Sequence, residues 1–472
     1  MIMASIKHSL LFVLVFLAFP AVLLCDTIIV PDDYPTIQQA INASVNGDTV
    51  LVKPGTYMEN IDFVGKAITV ASEQGAGVTA IYGKEYGSVV KFENEEGPLS
   101  VLEGFKITNG IAVDGGGIFC WFDCNPTITR NIIIGNKASF GRGAGICCHE
   151  ASPTITDNAI IGNYGYYSAG GGIFSTGTDA IITNNIITNN KAYYASGGGI
   201  RCAGYEIITN NIIAGNICEL HGGGIECSTL TTLVNNTIYD NQSRYYGGGI
   251  SVTGSLPGKM TNTILWNNSA SEGREIWLQT INDGSLTISH SDVDGGLSSV
   301  HVQPGSTLIW GPGMIDADPL FVDSADGDLH LTHSSPCRDA GDNQTVIDTE
   351  DFEGDPRIAW GGTVDMGADE FYNHLYVTGH RFPGGSIQGK LVGVPGSNPV
   401  GLFIGPGILP SPVNTMWGEF WLQAPWVLLG PLGTIPSDGV MVLPTTLPGS
   451  IPAPYDVPMQ ALIGLNPDSF SN

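Results

Sequence analysis

The chain has 472 residues, among them 64 glycines, with only 13% charged residues and a formal net charge of −27. So acidic a balance excludes nucleic acid as a partner, because a phosphate backbone is held by a basic surface that is missing here. An acidic polysaccharide is repelled for the same reason unless divalent cations bridge the two.

Residues Met1 to Leu24 carry one cation at Lys7 and then an uninterrupted apolar run from Leu10 to Leu24, before the polar start Asp26-Thr27. This predicts a signal peptide over residues 1–25 and an extracellular or cell-surface protein. The run is shorter than the ~20 residues of a bilayer span, which argues against an uncleaved anchor. Acylation of Cys25 is a further reading of this end, weakened by Leu24, where a small residue is expected. After the signal peptide no segment is apolar and long enough to be transmembrane. Next, Ile37, Ala40, Ile41 and Ser44 follow helical spacing and predict a short amphipathic helix.

An internal repeat then takes over. A Gly-rich tripeptide followed by isoleucine places Ile118, Ile146, Ile173, Ile200, Ile225 and Ile250 in one series, at intervals of 28, 27, 27, 25 and 25 residues. Aligned units give a second apolar column, Ile128, Ile155, Ile182, Ile208, Leu233 and Met260, and a third, Ile133, Ile160, Ile187, Ile213, Ile238 and Ile264. Strand side chains alternate in direction, so three short strands per unit, each giving one or two inward residues, enclose a single apolar cylinder. Asn131, Asn158, Asn185, Asn211, Asn236 and Asn262 form a column between them, and a second asparagine follows later in each unit. Asparagine tolerates the left-handed backbone of a tight bend, and stacked amides hydrogen-bond from coil to coil. Parallel strands joined by crossovers run right-handed, so the expected fold is all-β: a right-handed parallel β-helix with three sheets. The helical spacing at its start suits a cap over the first open coil.

These columns, with the opening Val30-Pro31-Asp32-Asp33-Tyr34-Pro35-Thr36-Ile37-Gln38 and the later Gly47-Asp48-Thr49-Val50 and Pro54-Gly55-Thr56-Tyr57, resemble the pectin-lyase-like right-handed β-helix superfamily over about Asp26 to Met314. The β-helix with its capping helix is assigned residues 26–315. A different text follows: Asp316-Ala317-Asp318-Pro319-Leu320-Phe321, Gly327-Asp328-Leu329-His330-Leu331, Ser335-Pro336-Cys337-Arg338-Asp339-Ala340-Gly341, Gly354-Asp355-Pro356-Arg357 and Val364-Asp365-Met366-Gly367-Ala368-Asp369-Glu370. It is similar to the closing region of the choice-of-anchor Q family of bacterial surface proteins, and it is assigned residues 316–372. Its aspartates are calcium ligands or the caps of turns; no EF-hand pattern is present, and no metal ligand or cofactor is assigned, with calcium left open. Residues 373–472, rich in Gly, Pro and Trp, read as a small all-β module with many turns, in which Trp417, Trp421 and Trp426 are either core or a sugar-stacking face.

The resemblance implies that substrate lies along the sheet of the Gly-Gly-Gly-Ile strands. Outward residues there are Phe119, Cys147, Phe174, Arg201, Glu226 and Ser251 in one column and Trp121, His149, Thr176, Ala203, Ser228 and Thr253 in the next. The entering loop adds Phe140, Tyr166-Tyr167, Tyr193-Tyr194, His221 and Tyr245-Tyr246. The substrate-binding candidates are therefore Phe119, Trp121, Phe140, Tyr167, Phe174, Tyr194, His221 and Tyr246, stacking sugar rings of a polysaccharide or cell-surface glycan. Shielding of the sheet edge is the competing account of the tyrosines. For catalysis as a polysaccharide lyase or glycoside hydrolase the candidates are Arg201, Glu226 and His149, with Asp123 and Glu150 near the edge. Arg201 and Glu226 read most simply as a cross-strand ion pair, and a purely structural adhesin is the third reading. Cys120, Cys148, Cys202 and Cys227 point inward, either as disulfides 120–148 and 202–227 or as buried thiols. The protein is expected to be a monomer.

Overall fold

The computed structural model describes residues 25–371, except 85, 178, 229–230, 255–257, 280–283 and 359–361, and beyond them the backbone of eight strands between 375 and 462. The signal-peptide assignment and the side chains of Trp417, Trp421 and Trp426 lie outside the described residues.

The repeat closes into a right-handed parallel β-helix. One sheet of 12 strands runs from Thr27–Val30 to Thr307–Trp310, and two sheets of 10 strands complete the cylinder. The glycine-series strands form one of these, with Ile118, Ile146, Ile173, Ile200, Ile225 and Ile250 in register and fully buried. The other inward columns are equally enclosed in one continuous core. At the start, the helix Ile37–Ala43 is capped by Thr36, whose Oγ1 accepts from Gln39 N at 3.2 Å, and it buries Ile37, Ala40 and Ile41 against that core.

Two features differ from the sequence reading. The third apolar column ends on Leu265, which pairs with Ile238, whereas Ile264 faces outward. The left-handed backbone belongs to the residue before each ladder asparagine: Arg130, Asp157, Asn184, Asn210, Asn235 and Asn262 have φ between 51° and 57°. The ladder itself runs Asn131, Asn158, Asn185, Asn211, Asn236: the Asn131 Oδ1 accepts from Phe105 N at 2.9 Å, and each later Oδ1 accepts the backbone N–H of the preceding ladder residue at 2.9–3.1 Å. Asn262 is thus a bend residue, and Thr263 and Ser291 continue the column. A second ladder, Asn136, Asn163, Asn190, Asn216, Asn241 and Asn268, is built alike and ends on the buried carboxylate of Glu275.

A fourth parallel sheet of six short strands, Ile111–Ala112, Lys137–Ser139, Tyr164–Tyr166, Lys191–Tyr193, Ile217–Cys218 and Gln242–Ser243, forms an arm between the second ladder and the glycine triplets. Its inward positions are small residues, Ala138, Gly165, Ala192, Cys218 and Ser243.

Residues 316–371 lie along the flank of the β-helix. Ile264 packs with Leu331, Cys337 and Met366, and Ile212 with Leu329 and Ala368. Asp348 accepts from Thr183, Thr209 and Asn210, and the buried Arg357 donates to Asn210 Oδ1 at 2.8 Å. Aspartates of this segment organise turns: Asp351 Oδ1 accepts from the N–H groups of Glu353 and Asp355, both at 2.9 Å, and Asp365 from those of Asp339 and Phe371. Strands Leu375–Gly379, Ser386–Val392 and Val440–Thr446 form a small antiparallel sheet. Among the described residues no helix is long and apolar enough to cross a membrane.

Candidate functional site

On the glycine sheet the first outward column becomes a covered floor. The chain leaving the arm folds back across it, and only glycine permits that approach: Gly197 has φ +69°, and a Cβ there would lie 2.7 Å from Arg201 Cβ. Phe174 is therefore 1% exposed, and Cys147, Glu226 and Ser251 are buried. This corrects the reading of Phe174 as a ligand contact. Phe119 is half-buried and Trp121 is 43% exposed.

Around Phe174 the charged groups form a connected set. Arg142, exposed, and Arg201 both lie over its ring, at 5.3 and 5.6 Å from the centroid. Arg142 Nη1 donates to His149 Nδ1 at 2.5 Å, so that nitrogen is the acceptor of the imidazole. His149 stacks on Trp121 at 4.6 Å, and Trp121 on Phe119 at 5.7 Å. Arg201 Nε donates to Glu226 Oε2 at 2.5 Å while Thr253 donates to Oε1 at 3.1 Å. The expected cross-strand ion pair exists, with Glu226 almost fully buried and both its oxygens engaged. Burial raises the Glu226 pKa and Arg201 opposes the rise. The structure thus brings Arg201 and Glu226 into contact and joins His149 to Arg142, which the sequence reading missed. Among the described residues no carboxylate ion-pairs with Arg142.

The arm presents the aromatics as a ladder. Phe140 stacks on Tyr167 at 5.5 Å and 12°, and Tyr167 on Tyr194 at 4.8 Å and 20°. The rings therefore occupy one another's faces, and the expectation of sugar rings stacked along all of them fails for steric reasons. Phe140, the end of the series, is 73% exposed, and among the described residues its ring contacts lie only toward Tyr166 and Tyr167. All three ladder residues adopt left-handed backbone, at φ 64°, 50° and 58°. Tyr194 also meets Tyr193, whose hydrogen bond and proximity push its pKa up to about 12. Farther along, His221 and Tyr246 stack at 5.0 Å and close over Trp277; burial, then Arg201, lowers the His221 pKa.

Beside the ladder, the outer side of the arm forms a groove of about 520 Å³, lined by Lys191, Tyr193, Glu219, Gln242, Arg244 and Ser271 among others. Arg244 Nη1 pairs with Glu219 Oε1 at 2.6 Å, which leaves Lys191 and the Gln242 amide as further polar groups at its wall. The volume falls in the range of small-ligand sites. Sequence reasoning passed over this groove because its polar residues alternate with the small buried ones of two- and three-residue strands.

Cys120, Cys148, Cys202 and Cys227 are buried free thiols, with Cys202 Sγ donating to Cys227 Sγ at 3.2 Å. Burial pushes the Cys147 thiol well up, which suits an inert packing role.

No curated protein sequence matches this chain. A crystal structure of pectate lyase Pel9A is similar at a TM-score of 0.38 and 14% identity, covering 71% of this chain and 91% of that one. The enzymatically active domain of bacteriophage CBA120 tailspike protein 2 is similar at a TM-score of 0.33 and 12% identity, covering 93% of this chain and 73% of that one. The family described as right handed beta helix region matches residues 116–293, the coils that carry the ladder, the covered floor and the groove.

Proposed function

We propose that this protein binds polysaccharide along the arm, with one sugar ring on the open face of Phe140, near Trp121 and Arg142, and the chain continuing past the ladder edges to the groove at Tyr193 and Gln242. The coils of Phe140 and Ser271 are five steps apart, about 24 Å of β-helix at ~4.8 Å per step. The observation that carries this reading is the backbone of Phe140, Tyr167 and Tyr194. A bulky residue in left-handed conformation costs on the order of 1 kcal/mol, and the bends one strand earlier in the same three coils use Gly135, Gly162 and Asn189, residue types that tolerate this backbone, at φ 67°, 59° and 57°. Keeping exposed aromatics at such positions over three successive coils is a cost that a ligand explains and a plain turn does not. Mutual stacking returns part of it, which is the contribution of edge shielding.

Binding is favoured over turnover because Glu226 is buried and both its oxygens are already bonded. The apolar run Leu10 to Leu24 supports export, and the likeness of residues 316–372 to the choice-of-anchor Q closing region supports attachment at a cell surface, as a monomer. The test is titration of the purified protein against diverse polysaccharides, with and without calcium. Phe140→Ala, Trp121→Ala and Arg142→Ala should each weaken the best ligand at least about tenfold, as hot-spot truncations do. Affinity unchanged in all three, and in Tyr167→Ala with Tyr194→Ala, refutes the reading. Release of sugars lost in Glu226→Gln or Arg201→Ala establishes a lyase or hydrolase instead.

A further inference from the structure

We propose that His330, Glu353 and Asp369 form a binding site for a divalent transition-metal ion that clamps the flanking segment of residues 316–371. One donor atom from each residue lies within 4.8 Å of the other two. The three come from the strand Asp328–Leu331, the loop around Asp351 and the end of the segment, so an ion here ties together stretches up to 39 residues apart.

The geometry suits a metal in three respects. His330 Nε2 stands 3.2 Å from Glu353 Oε2, close to the roughly 3.3 Å that separates two donors each about 2.0 Å from one tetrahedral ion. Asp328 Oδ1 lies 2.6 Å from His330 Nδ1, the carboxylate-to-imidazole contact that fixes a histidine ligand with Nε2 directed at the ion. Asp369 is 2% exposed; its Oδ2 accepts from Leu331 N at 2.7 Å, while its Oδ1 is buried with no hydrogen-bond partner among the described residues. A buried carboxylate oxygen without a donor is costly, and a cation beside it removes the cost. Arg357 does not serve there, since its Nη1 and Nη2 donate to the carbonyl oxygens of Asp369 and Ala368.

One imidazole with two carboxylates favours zinc, manganese or iron over calcium, which takes six or more oxygens. Glu353 is exposed, which leaves an entry side and room for water as a further ligand.

The experiment uses the full-length protein, stripped with a chelator and titrated with Zn²⁺ by calorimetry, with Co²⁺ absorption reporting nitrogen ligation. We expect one equivalent of Zn²⁺, slower hydrogen exchange across residues 316–371 on loading, and affinity reduced 10- to 100-fold by Asp328→Asn. Glu353→Gln, a change in an exposed loop, should weaken binding at least as much while leaving the fold and polysaccharide affinity intact. Absence of saturable Zn²⁺ binding, equal affinity in Glu353→Gln, or preference for Ca²⁺ over Zn²⁺ each overturns the proposal.

Discussion

Replacing Asn185 by leucine keeps the branched shape of the side chain and removes its polar atoms. Asn185 is fully buried, its Oδ1 accepts from the backbone N–H of Asn158 at 3.0 Å, and its Nδ2 donates to the carbonyls of Ile155 and Thr183, both at 2.8 Å. Among the described residues the Asn158 N–H has no other acceptor, so it is orphaned in a buried bend at a cost of about 1–3 kcal/mol, and the two carbonyls lose a donor. Asn211 Oδ1 retains the Asn185 backbone N–H at 2.9 Å and is spared. The total is about 4 kcal/mol, or roughly a thousandfold in the folding equilibrium. Asn189, exposed and left-handed at φ 57°, provides the control, because glycine fits that backbone and Asn189→Gly should change stability by less than about 0.5 kcal/mol. Urea unfolding followed by far-UV circular dichroism measures both, and amide exchange should locate the loss at Asn158. If Asn185→Leu is as stable as Asn189→Gly, the asparagine ladder does not hold the coils in register and the account of the bend is wrong.

Other outcomes follow from single contacts. Arg201→Ala strands the Glu226 carboxylate beneath the covered floor and should destabilise by about 3–5 kcal/mol, whereas Arg201→Met with Glu226→Leu should recover most of the loss; thermal unfolding decides. Glu275, between Arg274 and Asp294, has its pKa raised to about 8, chiefly by burial, so the folded protein binds more protons than the unfolded one between the ordinary carboxylate pKa and pH 8. Its contribution is then full at low pH and lost as pH rises through about 8, with a slope of at most about 1.4 kcal/mol per pH unit, and Glu275→Gln should flatten that part of the stability profile. An unchanged profile removes the assignment. Ile264→Glu should detach residues 316–371 and expose them to protease with the β-helix intact, while Leu265→Ala should cost the β-helix itself about 2–5 kcal/mol.

The β-helix was legible because each coil repeats the same burial problem at nearly the same interval, so Ile118, Ile146 and their successors align without help from the structure. The reading slipped where neighbouring residues share a chemistry. In Asn184-Asn185, Asn210-Asn211 and Asn235-Asn236 either residue suits either role, and only Arg130-Asn131 and Asp157-Asn158 distinguish the bend from the ladder. Ile264 and Leu265 were confused because the flanking segment buries the outward face of that coil, which makes both positions apolar. The arm left a signal in its column of small residues, but strands of two or three residues carry too little alternation to announce a sheet.

The site was less legible than the fold for a reason built into solenoids. Successive coils sit one strand spacing apart, close to the distance at which aromatic rings stack on each other. Like residues at like positions therefore consume one another, as Tyr166 with Tyr193 and Tyr167 with Tyr194 do at 5.8 and 4.8 Å. A column of aromatics in such a sequence marks a rigid ridge, and ligand-accessible faces occur only where the column starts, stops or is interrupted. Phe140 is such a start, and in its entering loop the Gly141-Arg142-Gly143 stretch places the Arg142 guanidinium over Phe174 and against His149. Recognition at this surface accordingly depends on where the repeat breaks, and the residues that break it are those that periodicity alone does not select.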